Sequence, residues 1–332
     1  MKVLFEINDI DQSQWDTLIQ LSPVATWFQT REAYGFFDSL SFMEAFVVAV
    51  ENQGVLKGLF VGYIQKDGGR VKQFFSKRAV ILGGPLLAED VSDEELKALL
   101  KALQDSLRKK AIYIETRNFN DYSHWRKVFE ECGFEYEPHL NFHLNTESVE
   151  EAQANIGKHR WRYIRISMRD GAHLVENPTM EQIEKFYSIL SELYQTKVKK
   201  PLFPMAFFER LYELRSAKFF LVEYDGEIIG GAVCMCLEGR ALYEWVKCGN
   251  EHFHKNIRPS SVATWLGIKY AAESGCKVYD FMGAGKPNDK YGVRDFKAEF
   301  GGELVEHGRY NCVCNSLLYN IGKVGIKVLE KI

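Results

Sequence analysis

Apolar and polar positions recur along this chain in two matching stretches. The apolar run 45–50 breaks at Glu51-Asn52-Gln53-Gly54 and resumes at Val55-Leu56-Lys57-Gly58. The run 219–222 breaks at Glu223-Tyr224-Asp225-Gly226 and resumes at Glu227-Ile228-Ile229-Gly230. Val50 and Val222, Glu51 and Glu223, Gly54 and Gly226, and Gly58 and Gly230 all stand 172 residues apart. Each stretch reads as a strand, a tight turn on the first glycine, and a second strand. A constant offset kept by several residues is the mark of an internal duplication.

The elements that follow repeat in the same order. In the first copy, Gly83-Gly84-Pro85 ends a strand, and a helix over 92–109 sets Leu96, Leu99, Leu100 and Leu103 on one face. Ser92 with Glu95 three residues on predicts a capping box at its start. Strand 111–115, a helix over 123–131 and Cys132-Gly133-Phe134 come next. The second copy gives strand 242–246, the segment Arg258-Pro259-Ser260-Ser261, a helix over 262–274, strand 277–281 and a helix over 293–300. Asn145-Thr146-Glu147-Ser148 reads as a helix start and sets domains of 1–148 and 149–332.

Composition adds little against this plan. A chain of 332 residues, 46% hydrophobic, is long enough for two ordinary cores. The net charge of −3 argues against a surface that binds nucleic acid throughout, but leaves room for a local basic patch. Acidic residues interrupt the N-terminus before any secretory run, and no apolar run is long enough to span a membrane. A cytoplasmic location with reduced cysteines follows as an expectation. Cys234-Met235-Cys236 and Cys312-Val313-Cys314 sit in strand-like runs without metal-site spacing, so they read as buried thiols and no metal is expected.

Several passages carry a family resemblance. These are Phe28-Gln29-Thr30, Gly83-Gly84-Pro85-Leu86, the basic stretch from Trp161 to Gly171, and above all Tyr279-Asp280-Phe281-Met282-Gly283 followed by Asp295-Phe296-Lys297-Ala298-Glu299-Phe300-Gly301. Together they resemble the Fem-type (FemABX) peptidoglycan aminoacyltransferases. That resemblance implies an α/β (α+β) chain of two tandem GNAT-like acyltransferase domains, with mixed central sheets flanked by helices. It also implies transfer of an amino acid from aminoacyl-tRNA to the amine of a peptidoglycan precursor peptide, UDP-linked or lipid-linked, without a bound cofactor. The chain departs from the family in lacking a long heptad arm, in carrying Glu115-Thr116 where an acidic residue often precedes proline, and in having only Arg31 as the basic residue nearest Gln29.

The residues that could carry this chemistry are the following. Lys297 beside Phe296 can stabilise a developing oxyanion as a fixed charge. Glu115 and Asp280, at the ends of corresponding strands, can act as base or orient an amine. Substrate contacts are expected from Gln29, Arg31, Gly84 and Pro85. Further contacts are expected from Lys197 in a basic loop with Lys199 and Lys200, from Arg258 and Ser260, from Lys286 and Tyr291 bordering a flexible loop, and from Phe296. Lys158, Arg162, Arg165 and Arg169 fall on one helical face, opposite Trp161, Ile164 and Met168, and suit a tRNA or lipid phosphate. His252 and His254 read as incidental. The tail from Leu317, with Lys323, Lys327 and Lys331 in step, is expected to pack as a helix and to allow peripheral contact at the inner membrane surface.

Two competing readings remain at this point. One is an N-acyltransferase using acyl-coenzyme A on a small amine or amino sugar. Against it, Pro259 has no N–H and the helix start at 258–261 has no glycine. The other is a binding module that kept the fold without catalysis.

Overall fold

The computed structural model describes residues 1–66, 77–199 and 201–321, so Lys200 and the Lys323, Lys327 and Lys331 face lie outside the described residues. The first-copy strands are β1 (Lys2–Leu4), β2 (Met43–Asn52), β3 (Val55–Gln65), β4 (Arg78–Leu82), β5 (Leu86–Leu87), β6 (Tyr113–Arg117) and β7 (Glu135–Glu137). Among the described residues, these helices accompany them: α1 (Gln12–Leu21), α2 (Arg31–Asp38), α3 (Asp93–Leu107) and α4 (Arg126–Glu131). The Ser92–Glu95 capping box forms as expected: Glu95 Oε2 accepts from Ser92 N at 2.9 Å. Leu96, Leu99, Leu100 and Leu103 of α3 are fully buried in the core of this unit.

The second-copy strands are β8 (Leu140–Asn145), β9 (His173–Leu174), β10 (Ala217–Tyr224), β11 (Glu227–Leu237), β12 (Ala241–Gly249), β13 (Val278–Asp280) and β14 (Glu303–Glu306). The helices are α5 (Val149–Ala154), α6 (Lys158–Arg169), α7 (Met180–Leu193), α8 (Met205–Tyr212), α9 (Pro259–Glu273) and α10 (Gly292–Ala298). A last strand, β15 (Arg309–Val313), follows. One sheet has the order β1-β2-β3-β4-β6-β15-β7 with β5 on β3; the other has β14-β8-β13-β12-β11-β10-β9. Each sheet has a parallel step, β4 beside β6 and β12 beside β13, with a long helix, α3 or α9, in the connection. The mixed sheets and flanking helices are those that the family resemblance implies.

The duplication extends to the hydrogen-bond register. Val50 pairs with Gly58, Glu51 with Leu56 and Asn52 with Val55, with a bulge between Val50 and Glu51. Val222 pairs with Gly230, Glu223 with Ile228 and Tyr224 with Glu227, with a bulge between Val222 and Glu223. Both turns place two residues at positive φ, Gln53 (52°) and Gly54 (79°), and Asp225 (53°) and Gly226 (77°). This geometry matches the right-handed twist of a two-residue hairpin.

The domain boundary differs from the expected 148. The two units are Met1–His139 with the chain from Glu306 onward, and Leu140–Val305. The physical reason lies in β8. Phe142 and Leu144 alternate with Asn141 and His143, and the strand pairs antiparallel with β13, adding Phe142 and Leu144 to the second core. Ser148 does cap α5, accepting from Glu151 N at 3.1 Å, but the strand before it already belongs to the second sheet. In the first unit the corresponding place beside β6 is filled by β15. The tail therefore returns to the first unit rather than ending the second.

The turn geometry carries a prediction. A methyl group on Gly54 or Gly226 meets nothing within 4 Å, so only the backbone conformation resists it. Gly54→Ala and Gly226→Ala should each destabilise the fold by about 1 kcal/mol, read as a lowered urea midpoint. An unchanged midpoint for either would show that its turn does not need positive φ.

Candidate active site

The chemistry of the second unit gathers at the end of β13. Asp280 is the last residue of that strand, and its carboxylate is 2% exposed. Asn141 Nδ2 donates to its Oδ1 at 2.7 Å, Met282 N donates to the same oxygen at 2.6 Å, and His143 Nε2 lies 3.1 Å from Oδ2. Asn141 Oδ1 in turn accepts from Phe142 N and Gly283 N. These bonds fold the chain sharply after the strand and hold Met282 at φ 54°, a conformation uncommon outside glycine. Asp280 is thus a brace whose oxygens already serve three partners, rather than the base that its strand-end position suggested. Burial works against a charge on His143, yet Asp280 outweighs it and raises the imidazole pKa.

The braced turn aims two carbonyls at one ammonium. Lys297 Nζ donates to Phe281 O at 2.6 Å and to Gly283 O at 2.7 Å, and the residue is only 8% exposed. An ammonium has three N–H groups, so one is left for a ligand. Burial depresses its pKa to about 8, against the pull of Glu244, and the neighbouring Lys247 depresses it further. Phe296, one residue earlier on α10, lies between two cations, with Lys247 Nζ 3.8 Å and Arg160 Cζ 4.5 Å from its ring. The Phe-Lys pair is therefore held by stacking on one side and by carbonyls on the other.

A polar network behind this site was not among the expected residues. Glu244 is buried in β12. Its Oε2 accepts from Tyr279 Oη at 2.7 Å and from Thr264 Oγ1 at 2.8 Å, and its Oε1 lies 3.2 Å from Lys247 Nζ. Burial lowers the pKa of Lys247, with Glu244 opposing the shift. Tyr279 of the signature was visible in the sequence. Its partner Glu244 stood in an apolar strand, where a single carboxylate gave no motif.

Other expected residues lie apart from this cluster. Lys197 is exposed at the end of α7, in a π-turn over Tyr194–Val198. Arg258 donates to the carbonyls of Lys255 and Ile257, and its guanidinium lies 5.6 Å from the Tyr163 ring. Lys286 and Tyr291 are exposed on the loop before α10, which Arg294 pins by donating to the carbonyls of Ala284, Lys286 and Pro287. Lys158, Arg162, Arg165 and Arg169 are all exposed along α6, as expected. The apolar face of α6 is rotated from its expected place. Arg160, Ile164 and Ser167 turn inward beside Trp161, while Met168 is 40% exposed, because Arg160 is drawn in by Glu299 and Ser261.

The start of α9 is closed. Pro259 occupies its first position, Ser260 N donates to Glu251 Oε1 at 3.2 Å, and Ser261 N and Val262 N both donate to Arg258 O. Ser260 thus contacts a carboxylate, the opposite of the phosphate expected there.

In the first unit, the expected substrate residues serve the fold. Gln29 is fully buried; its Nε2 donates to Gly83 O and Gly84 O, and its Oε1 accepts from Thr26 N. Tyr122 Oη donates to Gly83 O and Pro85 O, so the Gly-Gly-Pro turn is clamped from both sides. Gly84 sits at φ 78°, and a Cβ there would come within 2.8 Å of the Tyr122 ring. Arg31 donates to Ile10 O and stacks 4.8 Å from the Trp15 ring. Glu115 is held by Arg117 and Arg309, which keep its carboxyl below the usual range even against the cost of burial. Glu115 is thus a counter-ion to two arginines in this structure.

The fold is shared with a tandem GNAT protein, and its second unit carries the GNAT match. Residues 158–297 match the family model described as an acetyltransferase (GNAT) domain. FemX has a similar structure, with a TM-score of 0.73 at 16% identity, over 97% of this chain and 99% of that one. A tandem GNAT protein from the clavulanic acid biosynthesis pathway gives a TM-score of 0.60 at 11% identity, over 95% and 99%. The lipid II:glycine glycyltransferase of Staphylococcus epidermidis is 30% identical over 104 residues, which is 30% of this chain and 24% of the relative. The Staphylococcus aureus protein of the same name is 30% identical over 102 residues, 29% and 24%. The chain thus spans about a quarter of the length of the curated relatives it matches. The Fem-type resemblance of the motifs is borne out in fold and in local sequence. Among the described residues no helix is long and apolar enough to cross a membrane.

The depressed pKa of Lys297 fixes the sign of a pH effect. An ordinary lysine in the unfolded chain titrates near ~10.4, above the folded value of about 8. Below pH 8 both states hold the proton and the burial cost is constant. Between the two values the unfolded state binds more protons, so stability rises with pH. The stability of wild type relative to Lys297→Met should therefore grow by roughly 3 kcal/mol in full from pH 8 to 10.5, measured by urea unfolding. A flat difference would mean that the ammonium titrates normally.

Proposed function

We propose that the chain is an aminoacyltransferase that moves an amino acid from aminoacyl-tRNA to the amine of a peptidoglycan precursor peptide. In that reaction the amine nitrogen attacks the ester carbonyl. A C–N bond forms, the C–O bond to the tRNA ribose breaks, and the amine proton ends on the released hydroxyl. The ester is already activated, so the protein has to position the pair and stabilise the oxyanion. Lys297 is suited to the second task through the N–H that its two carbonyls leave over. The exposed basic face of α6 suits the tRNA backbone. Local similarity to lipid II:glycine glycyltransferases supports a cell-wall precursor as acceptor.

The observation that carries the choice of donor is the closed start of α9. A coenzyme A pyrophosphate needs backbone N–H groups exposed at a helix start. Here the first position has none, the next three donate elsewhere, and Glu251 places a negative charge where the phosphates would lie.

Transfer of a radiolabelled amino acid from charged tRNA to a UDP-linked or lipid-linked muropeptide tests the reading. Lys297→Met should lower kcat about 10²–10³-fold, and the wild-type rate should fall as pH rises past about 8. In a thermal-shift comparison the muropeptide should stabilise the protein and coenzyme A should not. Stabilisation by coenzyme A alone would instead establish the acyl-coenzyme A reading.

A further inference from the structure

The first unit carries a second concentration of charge, separate from Lys297. Side chains alternate along β6, so Ile114 points into the α3 core while Tyr113, Glu115 and Arg117 share the other face. Arg309 of β15 stands directly opposite Arg117, and Arg78 of β4 stands opposite Tyr113. Their sequence neighbours Tyr310 and Ala79 are core residues, so both arginines lie on the same face as Glu115. Three guanidiniums thus crowd one stretch of sheet. The carboxylates beside them are Glu115 and Glu137, the latter opposite Arg309. Tyr63 and Tyr113 border Arg117. Burial and the adjacent Arg309 push His139 down to about 4, so it adds no charge and accepts from Arg309 through Nε2. Among the described residues, the face is left with one positive charge in excess.

The hydrogen bonds locate that excess. Arg78 spends Nε and one terminal nitrogen on the neutral Gln65 Oε1, at 3.0 and 2.7 Å. Arg309 uses its terminal nitrogens on Glu115 and His139. Arg117 spends only Nε, on Glu115; its two terminal nitrogens have no partner among the described residues, although the side chain is 30% exposed. A planar guanidinium edge with two parallel donors matches a carboxylate in a bidentate fork.

We propose that the free edge of Arg117, flanked by Arg309 and Arg78, binds a single carboxylate of a peptide or small-molecule ligand. Glu115 sets the affinity from inside, because it competes for the same guanidiniums and holds Arg117 in place through Nε.

Isothermal titration of the full chain with three probes tests this: a short peptide with a free C-terminal carboxylate, the same peptide as its C-terminal amide, and methyl phosphate. The free carboxylate should bind, and the amide should not. Arg117→Gln should weaken binding about tenfold or more. Arg117→Lys, which keeps the charge beside Glu115 and so guards against misfolding, should also weaken it by removing the fork. Glu115→Gln should tighten binding, an effect that a purely structural ion pair would not produce. Equal binding of peptide and amide, tighter binding of methyl phosphate, or unchanged affinity in a folded Arg117→Lys protein would each overturn the proposal. None of these measurements involves transfer from aminoacyl-tRNA, so they stand or fall apart from that reaction.

Discussion

An ammonium buried under two carbonyls organises the second unit. Taking such a charge out of water costs several kcal/mol even after relaxation, and the surrounding structure is arranged to hold it. Phe281 O and Gly283 O accept from Lys297 because the chain turns abruptly after β13. That turn exists because Asp280 and Asn141 occupy its amides and Met282 accepts a left-handed conformation. Glu244, tied to Tyr279, Thr264 and Lys247, supplies negative potential from β12. Removing any one layer leaves the next without its reason. Strain and buried charge concentrated in one place, with neighbouring elements over-determining both, are what functional sites tend to show.

The two units share a frame but not a chemistry. Hairpin register, bulge position, positive-φ turn and a parallel step all recur. The frame fixes where a strand may end in a turn; it does not fix which side chains occupy the end. The second unit places a carboxylate brace and a lysine there, whereas the first places a clamped Gly-Gly-Pro turn and a face of arginines. Duplication thus supplies a second scaffold on which a separate binding chemistry can be built without disturbing the first.

Much of this frame was legible in the sequence, because it rests on local rules. Hairpin turns, the Ser92–Glu95 box and the leucine face of α3 are decided within a few residues of each other. The boundary was not legible: β8 reads equally as the last strand of one domain or the first of the next, and only its pairing with β13 decides. The bonds that hold the expected site residues were not legible in the sequence. Gln29, Glu115 and Asp280 are polar residues at turn and strand ends, which a sequence presents as available. Their hydrogen bonds run to partners 55, 194 and 139 positions away, and these bonds make them structural. Glu244 and Arg117 escaped for the converse reason. Glu244 lies inside a strand pattern and Arg117 just past the expected strand 111–115, and the meaning of each comes from neighbours on other strands.

In the proposed reaction, the closed start of α9 goes with a donor other than coenzyme A. A helix start that grips a pyrophosphate must keep its amides unpaired, which leaves polar groups unsatisfied whenever the ligand is absent. Here Pro259 removes one donor, Glu251 satisfies another, and a tightened first turn onto Arg258 O satisfies two more. The helix is then stable without a ligand, and α9 can be buried along most of its length as a structural rod between the sheet and α6. In the proposed reaction, recognition of the anionic donor falls to side chains that remain in water. The exposed arginines and lysine of α6 provide such a surface, since α6 packs on α9 through Trp161 and Trp265 at 4.9 Å and turns its charged face outward. A long polyanion held over many contacts can be gripped by such a spread of exposed charges, where a small one needs a preformed cradle.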